Sequence, residues 1–317
     1  EHADEPTGAA MLIEVEAALG GDGRISHWAF DLWSNTHTTR PGGAGALLAA
    51  RHLAKPFAPE PAELSISPSG NGDRNAVPLY TIPNTRIRWH FLPDMPVRVS
   101  ALRGLGAYAN VFALESMIDD LAREAGADPV EFRLRHLDDP RARAVVELAA
   151  ERSSWSASVP AEGFGRGFAF ARYKNLAAYL AIAVDVEVNP ETGRVRVVRA
   201  VSAIDAGEAV SPDGIRNQTE GGILQSISWT LYEQATFDDT RMTSTDWSSY
   251  PILRFASVPD SVEVHIVEQP GEPFLGAGEA AQGPTAAALG NAVRQAIGRR
   301  IHDLPISRER IKAAASA

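Results

Sequence analysis

Two stretches near the start of the chain alternate apolar and polar residues. AMLIEVEAAL (10–19) and RISHWAFDLWSN (24–35) flank GGDG, and a period of two around a glycine turn predicts a β-hairpin. Residues 41–75 are rich in Gly, Ala, Pro and Ser and read mostly as loop. Extended chain resumes in PLYTIPNTRIRWHFL (78–92), punctuated by Pro83 and Pro93. The period then changes. In YANVFALESMIDDLAREAG, Val111, Leu114, Ile118 and Leu121 recur at helical spacing, and Gly126 supplies a stop. A second helix follows, with Asp128 as cap, Pro129 at its first position and Glu131 completing a capping-box pattern.

Residues 138–163 carry charges, serines and Pro160, and a domain boundary is placed there: a first lobe over 1–145 and a second over 146–317. The second half opens with GFGRGFAFARYKN. AYLAIAVDVEV, NPETG and RVRVVRAVSAID then form a strong hairpin pattern. GIRNQTEGGILQSISWTLYEQ reads as a helix whose glycines permit close approach by another group. SVEVHIVE reads as a strand. LGAGEAAQGPTAAALGNAV (275–293) reads as a glycine turn into a helix of small residues, and SRERIKAAA as a terminal helix. Strands and helices mix without regular β-α-β alternation, so the expected class is α+β.

Composition narrows the chemistry. The 317 residues carry a net charge of −10, which argues against a nucleic-acid or anionic-membrane surface. No apolar run approaches the ~20 residues of a membrane span. There is no cysteine, so disulfides, thiolate catalysis and Cys-ligated metal are excluded for this chain. The eight histidines show no metal-ligand spacing, and there is no G-x-S-x-G elbow.

What remains is a set of glycine-rich spots: LRGLGAY (102–108), GFGRGFAF (163–170) and GAGEAAQG (276–283). Such turns can aim backbone N–H groups at anions or oxo groups, and equally serve as ordinary turns and caps. Arg103 is a surface arginine or a fork aimed at an anion or carbonyl. Gln218 and Glu220 lie on a polar helix face, and Asp205 ends a strand. Glu279 is a lone acid among small uncharged residues. It is either a polar residue near a helix cap or a catalytic base. Its sequence neighbours offer no positive charge, so a dry site is expected to raise its pKa toward neutrality.

Four segments, in order, resemble the molybdenum-cofactor-binding subunit of the xanthine dehydrogenase/aldehyde oxidase family, and most of all its isoquinoline 1-oxidoreductase branch. They are ALRGLGAYANVFALESMIDDLAREAGADPVEFRLRHL, AVDVEVNPETGRVRVVRAVSAIDAGEAVSPDGIRNQTEGGILQSISWTLYE, SYPILRFASVPDSVEVHIVE and GAGEAAQGPTAAALGNAV. The resemblance implies a two-lobed molybdopterin-binding fold. It implies a molybdenum–pyranopterin cofactor, the cytosine dinucleotide form among the candidates, and a reaction that inserts water-derived oxygen into an electron-poor carbon of an N-heterocycle or aldehyde. Glu279 matches the family's base at the metal-bound hydroxyl. Arg103, Gly104 and Gly106 match the loop beside the molybdenum ligands, Gln218 the glutamine of the pterin-contacting helix, and Gly276, Ala277 and Gly278 the lead into the glutamate. No protein metal ligand is implied, because the cofactor's sulfurs hold the metal.

Departures qualify the match. Leu105 stands where purine- and aldehyde-oxidising branches often have an aromatic, which argues against purine. Ala280 and Ala281 replace a frequent proline. The family's G-G-x-F-G and G-x-x-x-G-Q-G segments are not found here, so this chain is expected to be the C-terminal part of the subunit, with the cofactor held mainly by segments outside it. Expected partners are the remaining molybdenum-subunit segment, a small subunit with two 2Fe-2S clusters, a cytochrome c and a small-molecule substrate. The alternative is a non-catalytic assembly or scaffold piece of such a complex.

Overall fold

The computed structural model describes residues 6–37, 49, 52–56, 61–64, 66–156 and 162–316. Part of the 41–75 stretch read as loop, and Pro160, lie outside the described residues. The architecture is α+β, built on two separate sheets. In the first, β1 (Met11–Leu19) pairs antiparallel with β2 (Ile25–Ser34), and β3 (Thr85–Phe91) adds parallel to β2. The expected hairpin is present. The second sheet runs β4 (Phe164–Arg172), β5 (Tyr179–Asn189), β6 (Arg194–Asp205) and β7 (Ser261–Ile266), antiparallel except for the parallel β6–β7 pair.

Strand β5 shows how the core is divided. Leu180, Ile182, Val184 and Val186 enter one apolar cluster; Tyr179, Ala181 and Ala183 enter another. Successive strand side chains point to opposite faces, so a strand apolar on both has to be covered on both. On the first face lie α4 (Pro212–Leu231) and α5 (Gln282–Ile297), through Ile223, Ile227, Leu289 and Val293. On the second lie α1 (Ala107–Glu124), α2 (Pro129–Arg135) and α3 (Pro140–Ser153), which also meet Trp28, Phe30 and Leu32 of the first sheet. A short α6 (Arg308–Ala315) follows.

Local chemistry explains the helix ends. Gly126, at φ 62°, closes the turn after α1. The Asp128 carboxylate accepts from the N–H groups of Val130 and Glu131, with Pro129 at the first helical position. Helix α3 occupies much of the charged segment read as a boundary. Its arginines and glutamates mask an apolar stripe of Ala142, Val145, Val146 and Ala149, all buried.

The glycines of GFGRGFAF serve packing. A Cβ on Gly165 would lie 1.9 Å from the Ala292 carbonyl oxygen, and one on Gly167 2.0 Å from that of Ala288. Glycine here lets β4 lie against the α5 backbone.

Candidate active site

Four segments distant in sequence converge where α5 begins. The turn before α1 supplies Arg103 and Gly104, α4 supplies Gln218 and Gln225, the lead into α5 supplies Gly278 to Gln282, and the turn after β4 supplies Tyr173. The first turn is tight. Gly104 has φ 93° and Leu105 φ 51°, and Gly106 abuts the 71–72 loop so closely that a Cβ would sit 2.2 Å from the Gly72 carbonyl oxygen.

Arg103 settles as a fork aimed at carbonyls. Its Nε donates to the Gly278 carbonyl at 2.7 Å and its Nη2 to both Gly278 and the Gln218 carbonyl, the latter at 3.0 Å. Nη1 reaches Oε1 of Gln225 at 3.3 Å. The Gln218 amide donates to the same Gly278 oxygen at 3.0 Å. One guanidinium thus ties the α1 turn, α4 and the glutamate loop together. Gly222 lets α4 come this close, since its Cβ would lie 3.0 Å from that of Ala281 and 3.3 Å from Arg103 Nη2. Behind the fork, Gln282 is fully buried, and turning its amide lets its oxygen accept from Arg103 Nε at 3.0 Å and its nitrogen donate to the Glu279 carbonyl at 3.3 Å.

Glu279 is half-buried at the centre. Its Oε1 accepts from the Gly104 N–H at 3.0 Å and its Oε2 from the Tyr173 hydroxyl at 2.7 Å. The expected rise in its pKa is not what the structure produces. Burial does push the carboxyl up. The Gly104 N–H, the Tyr173 hydroxyl and the charges of Arg74 and Lys174 together outweigh it, and hold Glu279 below its ordinary value. The cations missing from its sequence neighbourhood arrive through the fold.

Arg103, Gly104, Gln218, Gly278 and Glu279 therefore form one hydrogen-bonded cluster. Gly276 and Ala277 lie in the lead to it, the Gly276 carbonyl accepting from Ala178 N–H at 3.3 Å. Gly106 faces the 71–72 loop instead. Glu220 and Asp205 are not in the cluster; Asp205 is buried and bound by Arg141 at 2.6 and 2.8 Å. Sequence reasoning missed Arg74, Tyr173, Gln225 and Gln282. Gln282 lies within the quoted glycine segment and was in reach; nothing local marks Arg74 or Tyr173.

The fold and this site define a class. Residues 100–259 and 61–137 match two models, each described as a molybdopterin cofactor-binding domain, and the chain belongs to that family. The resemblance to molybdenum-binding subunits is borne out by the relatives. One subunit of the nicotinate dehydrogenase of Pseudomonas putida is 40% identical over 328 residues, spanning 99% of this chain and 26% of that protein. The beta subunit of isoquinoline 1-oxidoreductase from Brevundimonas diminuta is 34% identical over 230 residues, 72% of this chain and 29% of that protein. The chain thus spans between a quarter and a third of the length of these relatives. The fold is similar to quinoline 2-oxidoreductase of Pseudomonas putida 86, with a TM-score of 0.78 at 15% identity over 99% of this chain and 63% of that one.

The exposed Gln218 amide and the exposed Gly276 and Gly278 fit a cofactor bound through hydrogen bonds to amide and backbone. Among the described residues no group of three or more His, Asp or Glu could hold a metal. A Cβ at Gly276 or Gly221 would touch nothing within 4 Å, and Gln218 is exposed with its amide on the Gly278 carbonyl. Open space at these glycines leaves their backbone accessible.

Proposed function

We propose that this chain is the base-bearing part of a molybdenum hydroxylase or dehydrogenase that inserts water-derived oxygen into an electron-poor carbon of an N-heterocycle or aldehyde. The observation that carries the reading is Glu279, a carboxylate fixed at both oxygens directly after the exposed Gly276 and Gly278. When bound, the molybdenum–pyranopterin would supply the two-electron redox chemistry and the activated oxygen. Arg103, Gly104, Gln218 and the Gly276–Ala277–Gly278 lead would contact it, with Gly106 shaping the turn. The chain's own contribution is a proton acceptor in a defined place. Held below its ordinary value, Glu279 is ionised at neutral pH and ready to take a proton at a carboxylate oxygen. Arg103 fixes the Gly278 carbonyl, and with it the approach of the next residue.

In this reading residues 1–145 belong to the first cofactor-binding lobe and 146–317 to the second. The rest of the molybdenum subunit, a 2Fe-2S subunit and a cytochrome c would complete the electron path, and the cofactor, in its cytosine dinucleotide form, would be held mainly by segments outside this chain. The relatives named for nicotinate and isoquinoline support a heterocyclic substrate.

Glu279→Gln in the complete complex tests the base. The expected loss in kcat/KM is ~10²–10⁴-fold. Near-wild-type turnover at unchanged molybdenum content sinks the assignment.

A further inference from the structure

The turn carrying Tyr173 is more constrained than a strand end requires. Lys174 and Asn175 have left-handed backbones, φ 60° and 55°, a conformation that lysine rarely adopts. Two consecutive residues of the facing loop hold it. Asn75, itself at φ 62°, accepts from the Lys174 N–H at 2.9 Å and donates to the Arg172 carbonyl at 2.8 Å. Arg74 is pinned by the carbonyls of Ser69 and Gly70 at 2.9 and 3.0 Å, and its Nη1 donates to the Tyr173 hydroxyl at 2.5 Å. An arginine can only donate, so the phenol oxygen accepts there and gives its single proton to Oε2 of Glu279 at 2.7 Å. The direction of the chain is set by the chemistry of its first member.

We propose that Tyr173, oriented by Arg74, is the positioning residue that aims Glu279. This rests on the reading of Glu279 as base. A hydrogen bond to a carboxylate is stronger than one to the neutral acid, so the bond favours the charged form. The other charges near Glu279 are Arg103 before α1 and Lys174 on Tyr173's own turn; the neutral Gln218, Gln225 and Gln282 of α4 and α5 bond to Gly278, Arg103 and the Glu279 backbone carbonyl. Beyond Arg74 lies His37, which burial and the arginine's charge push down to about 4, so it adds no charge at neutral pH. Tyr173 does not give up its proton: burial, then the bond and charge of Glu279, push the phenol well above its ordinary value. In turnover Glu279 receives the proton while Tyr173 stays neutral, and their bond weakens as the carboxylate loses its charge.

The test replaces Tyr173 by phenylalanine, and separately by 3-fluorotyrosine, in the complete cofactor-loaded complex, and measures kcat/KM against pH. Removing the bond should raise the pKa of the base and move the acid limb up by about one pH unit. A fluorinated phenol is a stronger donor and should move the limb down. A role in packing alone would not give shifts of opposite sign. The fluorine resonance at position 173 gives a readout independent of turnover. It should titrate with the acid limb, and the step should vanish in Glu279→Gln. An unmoved limb in Tyr173→Phe, or a fluorine signal without a titration step, while Glu279→Gln is inactive, overturns the proposal and leaves the base assignment standing. A Glu279→Gln complex that keeps its turnover removes the base reading, and the proposal with it.

Discussion

Glu115 lies on the buried face of α1, and its carboxylate is fully enclosed. Its Oε2 accepts from Arg133 Nε at 2.8 Å and from the Phe170 N–H at 2.9 Å, and its Oε1 from the Tyr80 hydroxyl at 2.7 Å. Both charged side chains have 0% exposure. The cluster ties α1 and α2 to β4. That matters for the site, because α1 follows the turn bearing Gly104 while β4 leads to Tyr173, the two donors to Glu279. Glu115→Gln keeps shape and volume. The amide can still accept from Arg133 and Phe170 if its nitrogen faces Tyr80, whose hydroxyl can turn to accept. What is lost is the counter-charge to a guanidinium with no access to water. Breaking such a pair costs about 3–5 kcal/mol. For 317 residues, at about 2.1 cal/mol/K of unfolding entropy per residue, that corresponds to a fall of roughly 5–8 °C in Tm. Tyr80→Phe removes one hydrogen bond and should cost only ~1 kcal/mol. Thermal and urea unfolding of the purified proteins measure both. A Glu115→Gln variant within about 1 kcal/mol of wild type would refute the reasoning, since Arg133 would then not depend on this partner.

Three further outcomes follow from the same geometry. Gly167→Ala should cost ~3 kcal/mol or more, because the new Cβ meets helix backbone at 2.0 Å rather than a side chain that can move; an unchanged unfolding midpoint contradicts the close β4–α5 packing. Arg103→Lys keeps the charge but loses the fork, and kcat/KM should fall about 10–100-fold as the Gly278 carbonyl loses its clamp; wild-type kinetics would show the fork to be dispensable. His37 is neutral in the folded protein, with its pKa lowered to about 4, whereas an unfolded histidine titrates near 6.5. The unfolded state therefore binds the extra proton first. Stability is full above ~6.5, declines by up to about 3 kcal/mol as the pH falls toward 4, and levels off below. His37→Gln should flatten that window in melts between pH 7 and 4, and a profile unchanged by the substitution would assign the decline to other groups.

How far the sequence could be read differs element by element. The β1–β2 and β5–β6 hairpins and the α1 stripe were legible because their periods repeat within a dozen residues and their turns carry glycine. Helix α3 has an equally clear stripe at 142, 145, 146 and 149, but the charges, serines and Pro160 of 138–163 read as a boundary rather than as a helix. The glycines of β4 read as a turn or cap or as a ligand contact, and only the position of α5 shows that they serve packing.

The sequence by itself determined the alternation that builds two sheets, the caps that start the helices, the absence of cysteine, and the ordered motifs that single out Glu279. It also placed Arg103 and Gln218 in the same motif set, though not in contact. Tertiary structure decided the rest: that Arg103 spends its fork on carbonyls of Gly278 and Gln218, and that Glu279 is ionised rather than raised toward neutrality. The reason is range. Periodicity and capping act over one or two turns of chain and leave their mark in neighbouring residues. The charge state of a carboxylate depends on every dipole and cation within a few ångströms, and the nearest donors to Glu279 come from Gly104 and Tyr173, 175 and 106 residues away.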